Sequence, residues 1–196
     1  MNQDEMIARM STLFKGSELC YGQYDQEIAE TADGSGKARG KFRSVFGPTT
    51  EKQWEDHFGG IHQLAISPLK KDGMCSFGAI DLDEGHHSIH DLMVRAQGSS
   101  LLLPIVGVRS KSKNIHLFTF FVSCPFIIAH ARMRCFVTDL RLSAEVYPRP
   151  SRGMGNLGPT ILVPYFGGKG QPSMVEQFIR EAEDTRKYWS GVRNVV

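Results

Sequence analysis

The sequence predicts an α+β fold, and three observations carry that expectation. Apolar runs of strand length alternate with helix-period segments between residues 74 and 147. Their order is strand, helix, strand, strand, helix, strand, the order of a split βαβ unit. A mixed N-terminal stretch precedes them and an amphipathic segment closes the chain.

Each element has a local reason. Residues 1–58 are mixed, but "TTEKQWEDHF" (49–58) reads as a helix with Thr49 or Thr50 as its cap. "TADGSGKARGK" (31–41) is small, glycine-rich and basic, and reads as a loop. It is not a P-loop, because no glycine stands five residues before Gly36 and Ala38 replaces the required Ser or Thr. "MCSFGAID" (74–81) is a strand. "HSIHDLMVRAQ" (87–97) sets Ile89, Leu92, Met93 and Ala96 at helical spacing. "SLLLPIVGV" (100–108) is a strand whose Pro104 marks an edge position. "IHLFTFFV" (115–122) is a strand, and "PFIIAHARMRCFVTDL" (125–140) is a helix opened by proline. "LSAEVY" (142–147) is the next strand. A Gly/Pro-rich loop (148–159), the strand "TILVPYF" (160–166) and the helix "SMVEQFIREAEDTRKYW" (173–189) complete the chain. The expected architecture is an RRM-like module over about 73–170, with an N-terminal α/β module over about 1–72 packed on it. Together these form one domain (1–170), and the helix in 171–196 could open a truncated downstream region.

The bulk numbers set bounds. The chain has 196 residues, 41% hydrophobic and 22% charged, with a net charge of +2, too little to advertise nucleic-acid binding by its sum. Cys20, Cys75, Cys124 and Cys135 contain no C-x-x-C pair, so reduced thiols are expected. No apolar run reaches the roughly 20 residues of a membrane span. "MNQDEMIARM" has no secretory character, and a cytoplasmic protein of a bacterial or phage-infected cell is expected.

The polar residues converge through this topology. The stretch "CSFGAIDLDEGHHSIHD" (75–91) ends an apolar strand in Asp81 and Asp83. In a split βαβ unit that end meets the starts of the third and fourth strands, which carry His116 and Glu145. The period of 2 puts Asp81 and Asp83 on one face, with Ile80 and Leu82 on the helix-covered other. The turn "RSKSKNI" (109–115) opens at the same edge with Arg109, Lys111 and Lys113. Three close carboxylates repel unless cations sit among them, and oxygen donors suit Mg²⁺ or Mn²⁺. Neighbouring basic and hydroxyl groups suit a triphosphate. Two-metal nucleotidyl transfer needs that combination.

Three motifs resemble those of the archaeo-eukaryotic primase superfamily, the primase-polymerases of phage and plasmid replicase type. They are D-x-D in "AIDLD" (79–83), the S-x-H-like "RSKSKNIHLFTFF" (109–121), and an acid in "AEVYPRP" (144–150) followed by "GNLGPTILVPYFGG" (155–168). "WEDHFGGIHQLAISPL" (54–69) adds to the likeness, which covers about 50–170. The resemblance implies a primase or DNA polymerase that takes NTP or dNTP, a single-stranded DNA template and a primer. It implies two Mg²⁺ or Mn²⁺ ions on Asp81, Asp83 and Glu145, which are also the catalytic acids. It implies nucleotide binding by Arg109, Ser110, Lys111, Ser112 and His116, and a helicase domain or partner. Asn114 stands where glycine is common, and the third acid is Glu rather than Asp.

Two other classes compete. A non-catalytic RRM-like nucleic-acid binder would act without metal, although the usual aromatic signature is absent. A metal hydrolase would use His86, His87, His90 and Asp83, the His86 and His90 pair sharing a helix face. A polar helix start explains those histidines more simply. His57 and His62 fit packing as well as a pocket. Phe118, Phe120 and Phe121 are expected in the core, under the N-terminal module, and Asn156 is read as ordering the glycine loop.

Overall fold

The computed structural model describes residues 1–27, 39–83, 87–98, 104–110, 114–149, 158–168 and 171–191. Among them the chain is mixed α+β, with two antiparallel sheets and five helices. Helix α1 (Gln3–Leu13) starts where the Asn2 side chain accepts the Glu5 N–H at 2.8 Å. It buries Met6, Ile7, Met10 and Leu13 along one stripe. Strands β1 (Cys20–Glu27) and β2 (Arg39–Phe46) form a hairpin. Helix α2 (Glu51–Gly59) is capped by Thr50, whose N–H donates to Gln53 Oε1 at 2.9 Å. It ends at Gly60, whose φ of 80° suits glycine. Strand β3 (Gln63–Ile66) joins β1, and β8 (Ile161–Leu162) joins β3, giving the sheet order β2-β1-β3-β8.

The second sheet is built from β4 (Met74–Leu82), β5 (Val106–Arg109), β6 (Ile115–Pro125) and β7 (Glu145–Tyr147), in the order β5-β6-β4-β7. Helices α3 (Ile89–Gln97) and α4 (Phe126–Asp139) connect its strands, and α5 (Pro172–Gly191) closes the chain. Strand β5 is an edge, as expected, although Pro104 itself lies just before it.

Three local expectations are corrected. The basic loop at 31–41 gives way to β2 at Arg39, and residues 28–38 lie outside the described residues. The strand at 100–108 narrows to Val106–Arg109, with 99–103 outside the described residues. Proline opens α4 as expected, with Pro125 at its N-cap. The strand at 160–166 shrinks to Ile161–Leu162, because Pro164 offers no N–H and Tyr165 turns the backbone to φ 64°.

Period-2 alternation in the second sheet divides two cores. Phe77, Ala79, Val106, Phe118, Phe120 and Tyr147 face a core shared with α1, α2, α5 and the first sheet's Tyr21, Leu64 and Ile66. Ile80, Leu82, Ile115, Leu117 and Val146 face the other way, onto α3 and α4. Phe121 is buried too, but on that second side, 5.5 Å from the Trp189 ring. All four cysteines are free, and burial pushes the Cys75 thiol up to about 12. No described helix is long and apolar enough to cross a membrane.

Helix α5 completes the second sheet as well as its core. Strand β5 runs out at Val106, opposite Phe118. The next outward N–H of β6, on Phe120, donates to Thr185 Oγ1 of α5 at 3.1 Å, and both groups are buried. A Thr185→Val substitution keeps the shape and removes that acceptor. It is expected to cost about 1–3 kcal/mol, the penalty of a buried orphan donor, as a lower urea midpoint at unchanged slope.

Candidate active site

The site is set by backbone register. Val108, His116, Asp81 and Glu145 form one row across β5, β6, β4 and β7, because His116 and Glu145 are both paired with Asp81. Directly opposed residues of an antiparallel ladder share a face, with Cβ atoms about 4.5–5.5 Å apart. One row inward, on the same face, stand Val106, Phe118, Ala79 and Tyr147. The face therefore changes from apolar core to titratable groups in a single step.

His116 is buried, edge-on to the Phe118 ring, and its Nε2 lies 3.3 Å from Asp81 Oδ1. That contact is not aligned as a hydrogen bond, so the buried Oδ1 of Asp81 has no hydrogen-bond partner. Such an oxygen is costly unless something else satisfies it. Glu145 is held at both oxygens. The Tyr147 hydroxyl donates to Oε2 at 2.9 Å, and Arg149 NH1 lies 3.1 Å from Oε1. Burial first, then the bond to Glu145, raises the Tyr147 phenol, which keeps it a donor. Asp83, one residue past β4, accepts from Asn114 Nδ2 at 2.7 Å. The departure from glycine at 114 thus supplies a side chain that orients an acid.

Arg109 donates from its guanidinium to the His87 carbonyl at 2.9 Å, tying β5 to the approach to α3. The Ser110 N–H donates to the Asn114 carbonyl at 2.8 Å, closing the turn. Lys111, Ser112 and Lys113 lie outside the described residues, as do His86 and Asn156. Among the described residues, no group of three or more His, Cys, Asp and Glu side chains is placed to hold a metal ion. Asp81, His116 and Glu145 come together, while Asp83 turns to Asn114.

A cleft of about 460 Å³ opens beside this row. Arg109, Ser110 and His116 line one side, and Leu162, Tyr165 and Phe166 line the other. The second wall is clamped by His57. The Leu64 N–H donates to its Nδ1 at 3.2 Å, so its Nε2–H donates to the Pro164 carbonyl at 2.9 Å. The Gly167 N–H donates to the His57 carbonyl at 2.9 Å. Burial lowers His57 from 6.5 to about 4. Its folded pKa lies below its unfolded value, so the clamp's stabilisation is complete above about pH 6.5 and is lost as pH falls toward 4. The full loss is about 3 kcal/mol. Denaturation midpoints of wild type should fall between pH 7 and about pH 5, and His57→Gln should flatten that slope.

Sequence reasoning missed Asn114, Tyr147, Arg149 and the His57 clamp. Glu145, Tyr147 and Arg149 are spaced by two in "EVYPR", so alternation alone sets them on one side. Asn114 follows from the ladder, which pairs Leu82 with Ile115 and leads next to Asp83 and Asn114. The clamp joins residues 107 apart and has no local signal.

The family model described as the Archaeo-Eukaryotic Primase domain of the TOTE conflict system matches residues 6–144. That span takes in Asp81, Asp83, Arg109, Ser110 and His116, and ends one residue before Glu145. No curated protein matches the chain. The match covers well over half of the sequence and includes the two strands that carry Asp81 and His116, so the chain belongs to the archaeo-eukaryotic primase family, a family of primase-like nucleotidyltransferases.

Proposed function

We propose that the chain is a template-dependent nucleotidyltransferase, a DNA primase and/or DNA polymerase. It would add nucleotides from NTP or dNTP to a 3′-hydroxyl on a single-stranded DNA template. The observation that carries this reading is the row His116, Asp81, Glu145 at the open end of an otherwise apolar sheet face, beside a cleft of nucleotide size. The order β5-β6-β4-β7, with a helix after β4 and another after β6, supports the RRM-like split βαβ reading.

The donor chemistry fits divalent ions. Asp81 offers a buried oxygen with no hydrogen bond, and all the acids in the row are hard oxygen donors suited to Mg²⁺ or Mn²⁺. Asp81, Asp83 and Glu145 would hold two such ions, which when bound activate the 3′-hydroxyl and brace the reacting phosphate. The chain's own groups do the rest. His116 faces the cleft beside Asp81 and can donate to a phosphate oxygen. Arg109, Ser110, Lys111 and Ser112 would hold the triphosphate, with Arg109 braced on the His87 carbonyl. Tyr147 keeps one Glu145 oxygen aligned. The family's description adds a setting in a conflict system, alongside replication of a phage, plasmid or other mobile element with a helicase domain or partner.

Extension of a labelled primer on a single-stranded template, with Mg²⁺ or Mn²⁺ and either dNTP or NTP, tests the proposal. Metal-dependent product supports it and reports the sugar preference. Folded protein that gives no product with either metal would overturn it.

A further inference from the structure

Strands β4 and β6 set two cysteines against each other. The register pairs Cys75 with Cys124, so both side chains leave the same face of the sheet, into the core shared with α3 and α4. Both thiols are free, Cys75 fully buried and Cys124 6% exposed. The other two cysteines have no cysteine opposite them. Cys20 faces Phe46 across the β1–β2 ladder, and Cys135 is an exposed residue of α4.

Directly opposed residues of an antiparallel ladder have Cα atoms about 4.5–5.5 Å apart, within the range of about 4.4–6.8 Å that a disulfide spans. Their Cβ atoms, about 4.5–5.5 Å apart, must close to about 3.5–4.5 Å. The ladder has slack for that adjustment. Between the pairs Cys75–Cys124 and Phe77–Phe120 the register shifts, and one residue of β4, Ser76, spans three of β6, Phe121 to Ser123. Closing the cysteines therefore draws on a bulge and leaves the regular pairing from Phe77 to Leu82 in place. The row of Asp81 and His116 lies at the other end of that pairing.

We propose that Cys75 and Cys124 are a redox pair, which a small peroxide closes to a disulfide and a dithiol reopens. Cys124 attacks first. Burial raises both thiols, but Arg132 pulls Cys124 back toward its thiolate, whereas Cys75 reaches about 12. The Cys124 thiolate takes one oxygen of hydrogen peroxide as the O–O bond breaks, giving a sulfenic acid and hydroxide. The Cys75 sulfur then displaces the second hydroxide from the Cys124 sulfur, forming the S–S bond. The two thiol protons leave with the hydroxides, so two thiols and one peroxide become one disulfide and two waters. Both sulfurs are oxidised and both peroxide oxygens reduced. The bond joins strands already in register, so it does not move the acidic row. It acts on the unfolded chain, whose freedom it removes by closing the loop through α3 and β5. Neither the bond nor its test depends on what the chain acts on.

In the test, Cys135 of the full chain is alkylated with iodoacetamide in the native state, and the protein is then treated with hydrogen peroxide. Cys20, Cys75 and Cys124 remain, and the thiols titrated after denaturation are expected to fall from three to one. The intact mass should drop by about 2 Da, and a tryptic map should join the peptides that hold residues 75 and 124. The thermal midpoint should rise by about 5–15 °C and return with dithiothreitol. Cys75→Ala and Cys124→Ala should each lose the oxidant-dependent rise. Treated and untreated protein are compared within each variant, so the packing cost of the substitution cancels. Three thiols that persist after peroxide would overturn the proposal, as would a linkage through Cys20 or between two chains. So would a linked protein whose midpoint does not rise.

Discussion

Asp81→Asn is expected to reduce primer extension at least about 10³-fold while leaving the protein folded. The substitution keeps size and shape and removes one negative charge from the centre of the row. Asp81 is flanked on both sides in register, by His116 and by Glu145, so no neighbouring acid can take its place without breaking the ladder. Its buried oxygen, which has no hydrogen bond, is the atom best placed for an ion. The amide would keep only a weak neutral donor there. Single-turnover extension at saturating Mg²⁺, beside circular dichroism of both proteins, reads the two effects separately. Activity within tenfold of wild type would remove Asp81 from the chemistry.

The second large effect concerns stability. Phe14, the residue after α1, is 1% exposed, and its ring centroid lies 5.1 Å from Phe77 and 5.2 Å from both Phe118 and Phe120. All three contacts are edge-on, the arrangement that adds to burial for aromatic pairs. Phe14→Ala should therefore cost about 3–5 kcal/mol, because those rings belong to a rigid sheet and cannot collapse into the space. Urea denaturation at neutral pH checks this. A cost under about 1 kcal/mol would mean that α1 shifts to fill the hole. The effect also bears on function, since Phe118 is the residue against which His116 is packed.

Legibility in the sequence followed physical locality. Asp81 and Glu145 could be placed because β4 and β7 are apolar runs buried on both faces, so the acids at their ends stand out and the ladder is fixed. The N-terminal hairpin could not be read. "CYGQYDQE" is an interior strand whose buried residues include Gly22 and Gln23, and "RGKFRSVF" is an edge strand exposed along most of its length, so neither shows a clean apolar alternation. Strand β8 has two residues, too few for any period. The role of Thr185 depends on where β5 ends, 79 residues earlier in the chain, and a hydroxyl in an amphipathic helix gives no hint of it. Asn114 looked like a departure from a motif, and only its place opposite Asp83 shows what it does.

The two walls of the cleft differ in how they are made. One is a sheet row, fixed by the hydrogen bonds of four strands. The other is a turn whose carbonyl at Pro164 hangs on a single imidazole. Variation can therefore accumulate in the turn and reshape the cleft, while Val108 and His116 across from it stay in register with the acids of the row.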